Sequence, residues 1–437
     1  MKLNEKLRKR HNIYIYIYAF LATVLLCLLL LIAAVFLPQS RILRNVKTSA
    51  DMISAEGVEP VCWDYMNASQ LDTVSETLIL MHSCETNKSD LSSVLTNPRI
   101  ACSENVIDSL QAYKQSDSPE IVEHYVRYWM GFRPFVRLLL TVFHYWQIRR
   151  YLTVAVYMLF AMVICSIAKW VDTKSAFLFA LSVILIRFNI VCQLLQYSVC
   201  FLLAFCAMLL VPWLSKRKKY EGLFFMELGM LTMYLDFYTT PIITFGLPII
   251  YLNLLYVKRN EALSWKQTAK DAALWMIGYG GMWISKLVLT TLFTDINGIR
   301  NGFLSFFQRV GIQKVESLSE CYNAIGALKK VAWVSTGWPD KAGIKVAGAV
   351  LAVVVLFAVI QFLRSRQPLK ALKDHVLFLV IACLPILWFV AAAQPTYIHA
   401  YFQYRGIVVT LWGCMVYAML TIQKQGESPE TGNSSGK

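Results

Sequence analysis

The stretch LLQYSVCFLLAFCAMLLVPWLSKRKK, residues 194–219, decides how the chain is read. Residues 194–214 carry no charged side chain, and Lys216, Arg217, Lys218 and Lys219 follow closely. A helix of roughly 20 mostly apolar residues crosses a hydrocarbon core of ~30 Å. Clustered Lys and Arg at one end mark its cytoplasmic side. Outward from this run lie 13–37, 151–169 and 175–193 before it. After it come 221–236, 240–257, 271–293, 343–363, 375–393 and 406–422. The predicted fold is all-α, a polytopic transmembrane helix bundle of about ten spans.

Threading starts from a basic tail, Lys2, Lys6, Arg8, Lys9 and Arg10, placed in the cytoplasm. Lys258-Arg259 and the group Arg364, Arg366, Lys370 and Lys373 then fall on the same side as 216–219. Arg149-Arg150 and Lys329-Lys330 are exceptions and land outside. The 13–37 run is long for the core of a signal peptide, and no small-residue cleavage pattern precedes Pro38. An uncleaved first span is therefore expected. Residues 1–37 form a cytoplasmic tail and that span; 38–150 form a long extracytoplasmic loop with interfacial helices. Residues 151–422 form the multi-span domain, and 423–437 a second cytoplasmic tail. The location implied is the cell membrane, multi-pass, with both termini cytoplasmic.

Composition agrees, with 57% hydrophobic and 16% charged residues. The net charge of +15 is mostly a topology signal and does not argue for nucleic acid. Basic loops also favour anionic inner-leaflet lipids. No phosphate-binding glycine loop, dinucleotide fingerprint or zinc spacing is present, and no transporter-like internal repeat is visible. Cys62, Cys84 and Cys102 share the first outer loop and Cys321 lies in the second, with pairing left open. Asn67 and Asn87 open short, chance-level glycosylation sequons.

Carboxylates, lone cations and aromatic rings gather on the face opposite the basic loops. Asp72 and Glu76, one helical turn apart, suit a general base or a metal site completed by a phosphorylated substrate. A solvated helix face is the plain alternative, and Asp64 is a weaker candidate. Asp236 sits among aromatics where one span leaves and the next, opened by Pro241, begins. It either serves chemistry or ends a helix. Lys286 lies near the outer boundary of its span, to snorkel or to hold a phosphate. The last outer turn, Gln394 to Arg405, places His399 and Arg405 among Tyr397, Tyr401 and Tyr404. Arg suits two-point phosphate binding, and His can donate to phosphate or move a proton. Interfacial anchoring is the alternative for both. Arg300 adds an outer cation, for which a solvated loop charge is the favoured reading. In 123–150, Arg127, Arg133 and Arg137 alternate with Tyr128, Trp129, Phe132 and Phe135. That pattern predicts helices lying in the interface, rings at headgroup level and cations in water.

This layout resembles the GT-C class of integral membrane glycosyltransferases. The segments 234–241 and 397–405 also look like those of poorly characterised bacterial polytopic proteins, particularly Gram-positive ones. The adjacent Asp-Glu pair of protein O-mannosyltransferases is absent; Asp72 and Glu76 are separated. The resemblance implies inverting transfer of a sugar from a polyprenyl-phosphate carrier to a cell-envelope glycan or protein acceptor. Asp72 would be the base, with Glu76 or Asp236 as rivals. Lys286, Arg405 and Arg300 would stabilise the leaving lipid phosphate, and His399 would hydrogen-bond it. Trp129, Tyr128 and Tyr397 would border the sugar or the lipid. No cofactor is implied, and a divalent cation is optional. A lipid-linked glycan transporter and a non-catalytic assembly protein are the other classes.

Overall fold

The structure is a computed structural model. It describes residues 2–62, 67–84, 91–100, 106–115, 121–237, 239–310, 323–336, 345, 348–349 and 368–426. Asp64, Cys102, Cys321, the Asn87 sequon, nearly all of 343–363 and the tail from 427 lie outside them.

The chain is built of helices. Helix α1 spans Lys2–Val35, and α2 (Gln39–Glu56) and α3 (Thr73–Ser83) follow. Then come α4 (Leu91–Thr96), α5 (Val106–Gln115) and α6 (Arg133–Leu140). Two short strands, Pro98–Ile100 and Ile121–His124, pair antiparallel between them, a departure from a purely helical chain. Asn97, at φ 47°, turns the backbone into the first strand. Its amide donates to the carbonyls of Tyr125 (3.0 Å) and Tyr128 (2.6 Å).

Beyond this region lie α7 (Tyr145–Trp170), α8 (Thr173–Leu185), α9 (Phe188–Val191) and α10 (Leu195–Leu214). Next come α11 (Glu221–Leu235), α12 (Ile242–Lys258), α13 (Trp265–Phe293), α14 (Gly298–Arg309) and α15 (Ala324–Thr336). Helices Pro368–Ala382, Leu384–Ala391 and Ile407–Gly426 close the bundle.

Among the described residues, six helical stretches are long and apolar enough to cross a membrane: Ile13–Val35, Tyr145–Trp170, Leu195–Leu214, Trp265–Phe293, Lys373–Ala391 and Ala400–Ile422. The chain is a helical membrane protein. Three other expected spans are shorter than ~20 residues. Those at 221–236 and 240–257 are helices of 15 and 17 residues. The run 175–193 is broken, because Arg187 takes the left-handed conformation at φ 56° and donates to the Ser335 carbonyl. A long charged side chain held off-axis ends the helix that the apolar run alone would continue.

The bundle has two distinct ends. At one, Lys218 pairs with Glu261, Arg259 donates to the Ser215 carbonyl (3.1 Å), and Lys216 lies 4.9 Å from the Trp170 ring. The basic residues 216–219 and 258–259 therefore share one end, with α11 and α12 as a hairpin between them. The tip of that hairpin meets the 39–145 region, where the Gly131 amide donates to the Tyr234 carbonyl at 3.0 Å. Along the hairpin α11 lies directly on α13. A Cβ on Gly229 would fall 2.2 Å from the Trp275 carbonyl oxygen, and one on Gly278 would fall 2.0 Å from that of Met226. Only glycine permits this approach. The two outer arginine exceptions are compensated: Arg149 pairs with Glu56 at 2.6 Å, and Arg150 stacks on Trp146.

The 39–145 region has its own core. Ile42, Val46 and Ile53 of α2 pack with Ile79, Leu80, Leu110, Val136 and Leu140. One expectation is corrected here. Arg133 and Arg137 are buried rather than in water, while Phe135, Leu138 and Leu139 of the same helix are exposed. Arg137 donates to the carbonyls of Ala34 (3.0 Å) and Ser83 (2.7 Å) and to Gln39 (3.0 Å). A guanidinium with three acceptors tolerates burial, and the apolar face of α6 is left to lie outward.

Candidate functional site

Asp72 is the N-cap of α3. Its carboxylate accepts from the Ser75 amide (2.9 Å) and the Ser75 hydroxyl (2.7 Å). Its side chain points at the last outer turn, where the Tyr401 hydroxyl stands 3.5 Å from Oδ2. That turn is a string of short helices, Ala393–Ile398 and Ala400–Gln403, leading into Ile407–Gly426. From these breaks Tyr401 reaches Asp72, and Tyr404 and Arg405 reach the Ala68 carbonyl.

Arg405 extends from this turn toward the same segment. It is 1% exposed and donates to the carbonyls of Tyr401 (3.0 Å) and Ala68 (3.1 Å). Its guanidinium carbon lies 4.7 Å from the Tyr197 ring and 5.0 Å from the Tyr404 ring. Its Nε–H is buried with no partner, and no carboxylate lies within ion-pair distance among the described residues. The His399 Nδ1 is likewise buried without a partner, its ring stacked on Phe402. Lys330, on α15, sits 4.3 Å from the Tyr397 ring.

Charges of both signs act here. Burial, first, and then the cations Arg309 and Lys330 pull the His399 pKa down, against the opposing charge of Asp72. Burial and then Asp72 push the Glu59 carboxyl up. The arrangement sets one carboxylate acceptor beside a neutral imidazole and a guanidinium that has an unused donor. It can take a proton at Asp72 and bind an anion at Arg405.

The other sequence candidates lie elsewhere. Glu76 is 1% exposed and accepts from the amides of Leu195 (3.1 Å) and Gln196 (2.8 Å) and from the Tyr145 hydroxyl. It caps α10, one of the membrane-crossing helices. Asp236 accepts from the Thr239 amide (3.0 Å) and hydroxyl (2.5 Å), closing its own loop before Pro241. Lys286 is fully buried, donates to the Leu95 carbonyl (2.5 Å) and lies 5.6 Å from the Trp129 ring. The Trp129 indole donates to the Met282 carbonyl at 2.8 Å, so these two residues fasten α13 to the 39–145 region. No partner of Lys286 is shared with Arg405. Arg300 is exposed on α14.

Burial pushes the Glu76 carboxyl up from 4.5 to about 7, against the bonds from Gln196, Tyr145 and Leu195. Between those values the folded chain holds a proton that the unfolded chain has released. Stability therefore falls as pH rises through that window, by about 3 kcal/mol for this group. Thermal unfolding in detergent at pH 5 and pH 7.5 should show the loss, and Glu76→Gln should flatten it. An unchanged pH dependence in Glu76→Gln would assign the effect to other groups.

A cavity of about 260 Å³ lies at the basic end, lined by Glu221, Asn253, Tyr256, Gln267 and Asp271 among others. Its carboxylates are engaged within the wall: Glu221 accepts from Tyr256, and Asp271 from Gln267 (3.0 Å). None of the sequence candidates lines it. Among the described residues no three His, Cys, Asp or Glu side chains converge as a metal centre.

Tyr197 and Ser75 belong to the Asp72 neighbourhood and were not singled out from sequence, and Lys330 was noted only as a basic exception. Tyr197 carried one signal, its place in the polar triplet Gln196-Tyr197-Ser198 at the start of an apolar span. Comparison of the chain with family models, curated proteins and solved structures finds no match.

Proposed function

We propose that the chain is a membrane glycosyltransferase. It moves a sugar from a polyprenyl-phosphate donor to a cell-envelope acceptor at the end of the bundle opposite the basic loops. One observation carries the reading: buried Asp72 and Arg405, distant in sequence, both reach Tyr401, with half-buried His399 two residues before it. The acceptor hydroxyl gives its proton to the Asp72 carboxylate as its oxygen bonds the sugar's anomeric carbon. The bond from that carbon to the phosphate oxygen breaks, and the electron pair leaves with the lipid phosphate. Arg405 stabilises the charge that develops there, and His399 donates a hydrogen bond. The phosphate takes the place now held by the Ala68 carbonyl on Arg405.

A non-catalytic assembly role has one observation in its favour, because Asp72 already serves as the cap of α3. Purified protein in proteoliposomes with radiolabelled polyprenyl-phosphate sugars and envelope acceptors separates the two. Label moving to acceptor supports transfer. Donor binding without transfer, or neither, overturns it.

In this reading the termini and the basic end face the cytoplasm, with residues 38–150 outside. Membrane-impermeant labelling of single cysteines at Lys218 and Arg300 should find them on opposite sides. Labelling from one side would invert the part of the chain that follows α12.

A further inference from the structure

Helix α14 follows the long span α13 after only residues 294–297. It folds back on the end of α13. A Cβ on Gly298 would lie 2.7 Å from the Leu287 carbonyl oxygen, and one on Gly302 would lie 2.3 Å from the Leu287 side chain. The Ile299 amide donates to the Thr291 hydroxyl at 3.1 Å. Phe293, where α13 ends, stands about 33 Å along the axis from Asp271, beyond the charged first turns of the helix, at ~1.5 Å per residue, roughly one hydrocarbon thickness. Helix α14 is therefore held at the level where the bilayer core ends.

At about 100° per residue, α14 has three distinct sides. Gly298, Gly302 and Ser305 are buried on one. Ile299, Phe303, Phe306 and Phe307 lie on the next, each at least 40% exposed. Asn301 and Gln308 lie opposite that apolar side. Trp283 of α13 stacks near Phe303 (5.9 Å) and Phe306 (6.2 Å), so the aromatic strip runs on from the surface of the spanning helix. At the far end Arg309 donates to the Tyr128 hydroxyl (2.6 Å), and Arg127 donates to Ser305 (3.1 Å).

We propose that α14 lies in the plane of the membrane and docks its Ile299/Phe303/Phe306/Phe307 side into the acyl chains of the adjoining leaflet. The apolar strip adjoins the exposed apolar surface of the spanning helix α13, Ile284, Val288, Leu292 and Phe293, which names lipid chains as the occupant. The polar side then faces water. The helix ties the membrane surface to the outer region through Tyr128 and Ser305. The inference does not depend on transfer chemistry.

The test places the photo-crosslinking residue benzoyl-phenylalanine at Phe303, Phe307 or Asn301 of the full chain in phosphatidylcholine nanodiscs. Lipid adducts are read by mass spectrometry. Adducts on the acyl chain should exceed those at 301 by about tenfold at 303 and 307. Positions 299 and 306 replace either one if that variant does not purify as a single species. Equal yields on both sides, adducts confined to the headgroup, or crosslinks only within the protein would each overturn the proposal.

Discussion

Replacing Asp72 by Asn is expected to lower sugar transfer by about 10²–10⁴-fold while leaving the fold and donor binding near native. The substitution separates two roles that one carboxylate combines. As the cap of α3, Asp72 accepts from the Ser75 amide through Oδ1. Asn caps helices about as well as Asp, so α3 keeps its start. As a base, the residue must take a proton, and an amide does not. Turnover, donor affinity and thermal midpoint measured on one preparation decide the matter. Native turnover in Asp72→Asn would leave the carboxylate a cap only. Glu76 and Asp236 would be poor replacements as base, since neither touches the turn that carries Arg405: Glu76 holds the start of α10 and Asp236 the Thr239 loop.

Arg405→Lys should cost roughly 10²-fold in transfer although the charge is kept. The guanidinium reaches the Tyr401 and Ala68 carbonyls with two nitrogens while stacked against Tyr197, and its Nε–H has no partner. An ammonium lacks the planar fork that serves these positions together. The loss should appear in donor affinity and turnover alike, and it should shrink when the donor analogue lacks its phosphate. A loss identical for charged and uncharged analogues would make Arg405 a structural pin between the last turn and residue 68. Lys286→Met should spare donor binding, because the Lys286 partners are Leu95 and Trp129.

The long spans were legible because an uninterrupted apolar run has few other uses. Residues 195–214 could hardly fold otherwise. The break at Arg187 was not legible, since the residue that ends the helix there does so by a bond to Ser335, far along the chain. The arginines of α6 were misplaced for a related reason. A helical pattern of cations and rings shows two faces but not which one turns inward. The carbonyls of Ala34 and Ser83 decide that, and they belong to other helices. At the candidate site, the gathering of carboxylate and cations at one end was visible in the charge pattern. Its sorting was not. Asp72 and Arg405 both reach Tyr401, while Lys286 closes a separate joint on Leu95, and nothing in the spacing separates the two cations. Helix α14 was hidden within an outer loop because its apolar side spans little more than three turns.

The contact of α11 with α13 through Gly229 and Gly278 has a consequence for how a long lipid could reach the interior. Backbone already touches backbone along that seam, and the seam has no room for a methyl group. An isoprenoid tail cannot slide in there, and the pair must tilt together if either helix moves. Entry from the bilayer is confined to the remaining perimeter of the bundle. Gly278→Val would force the seam apart and register as a loss of thermal stability rather than as a change in any chemical step.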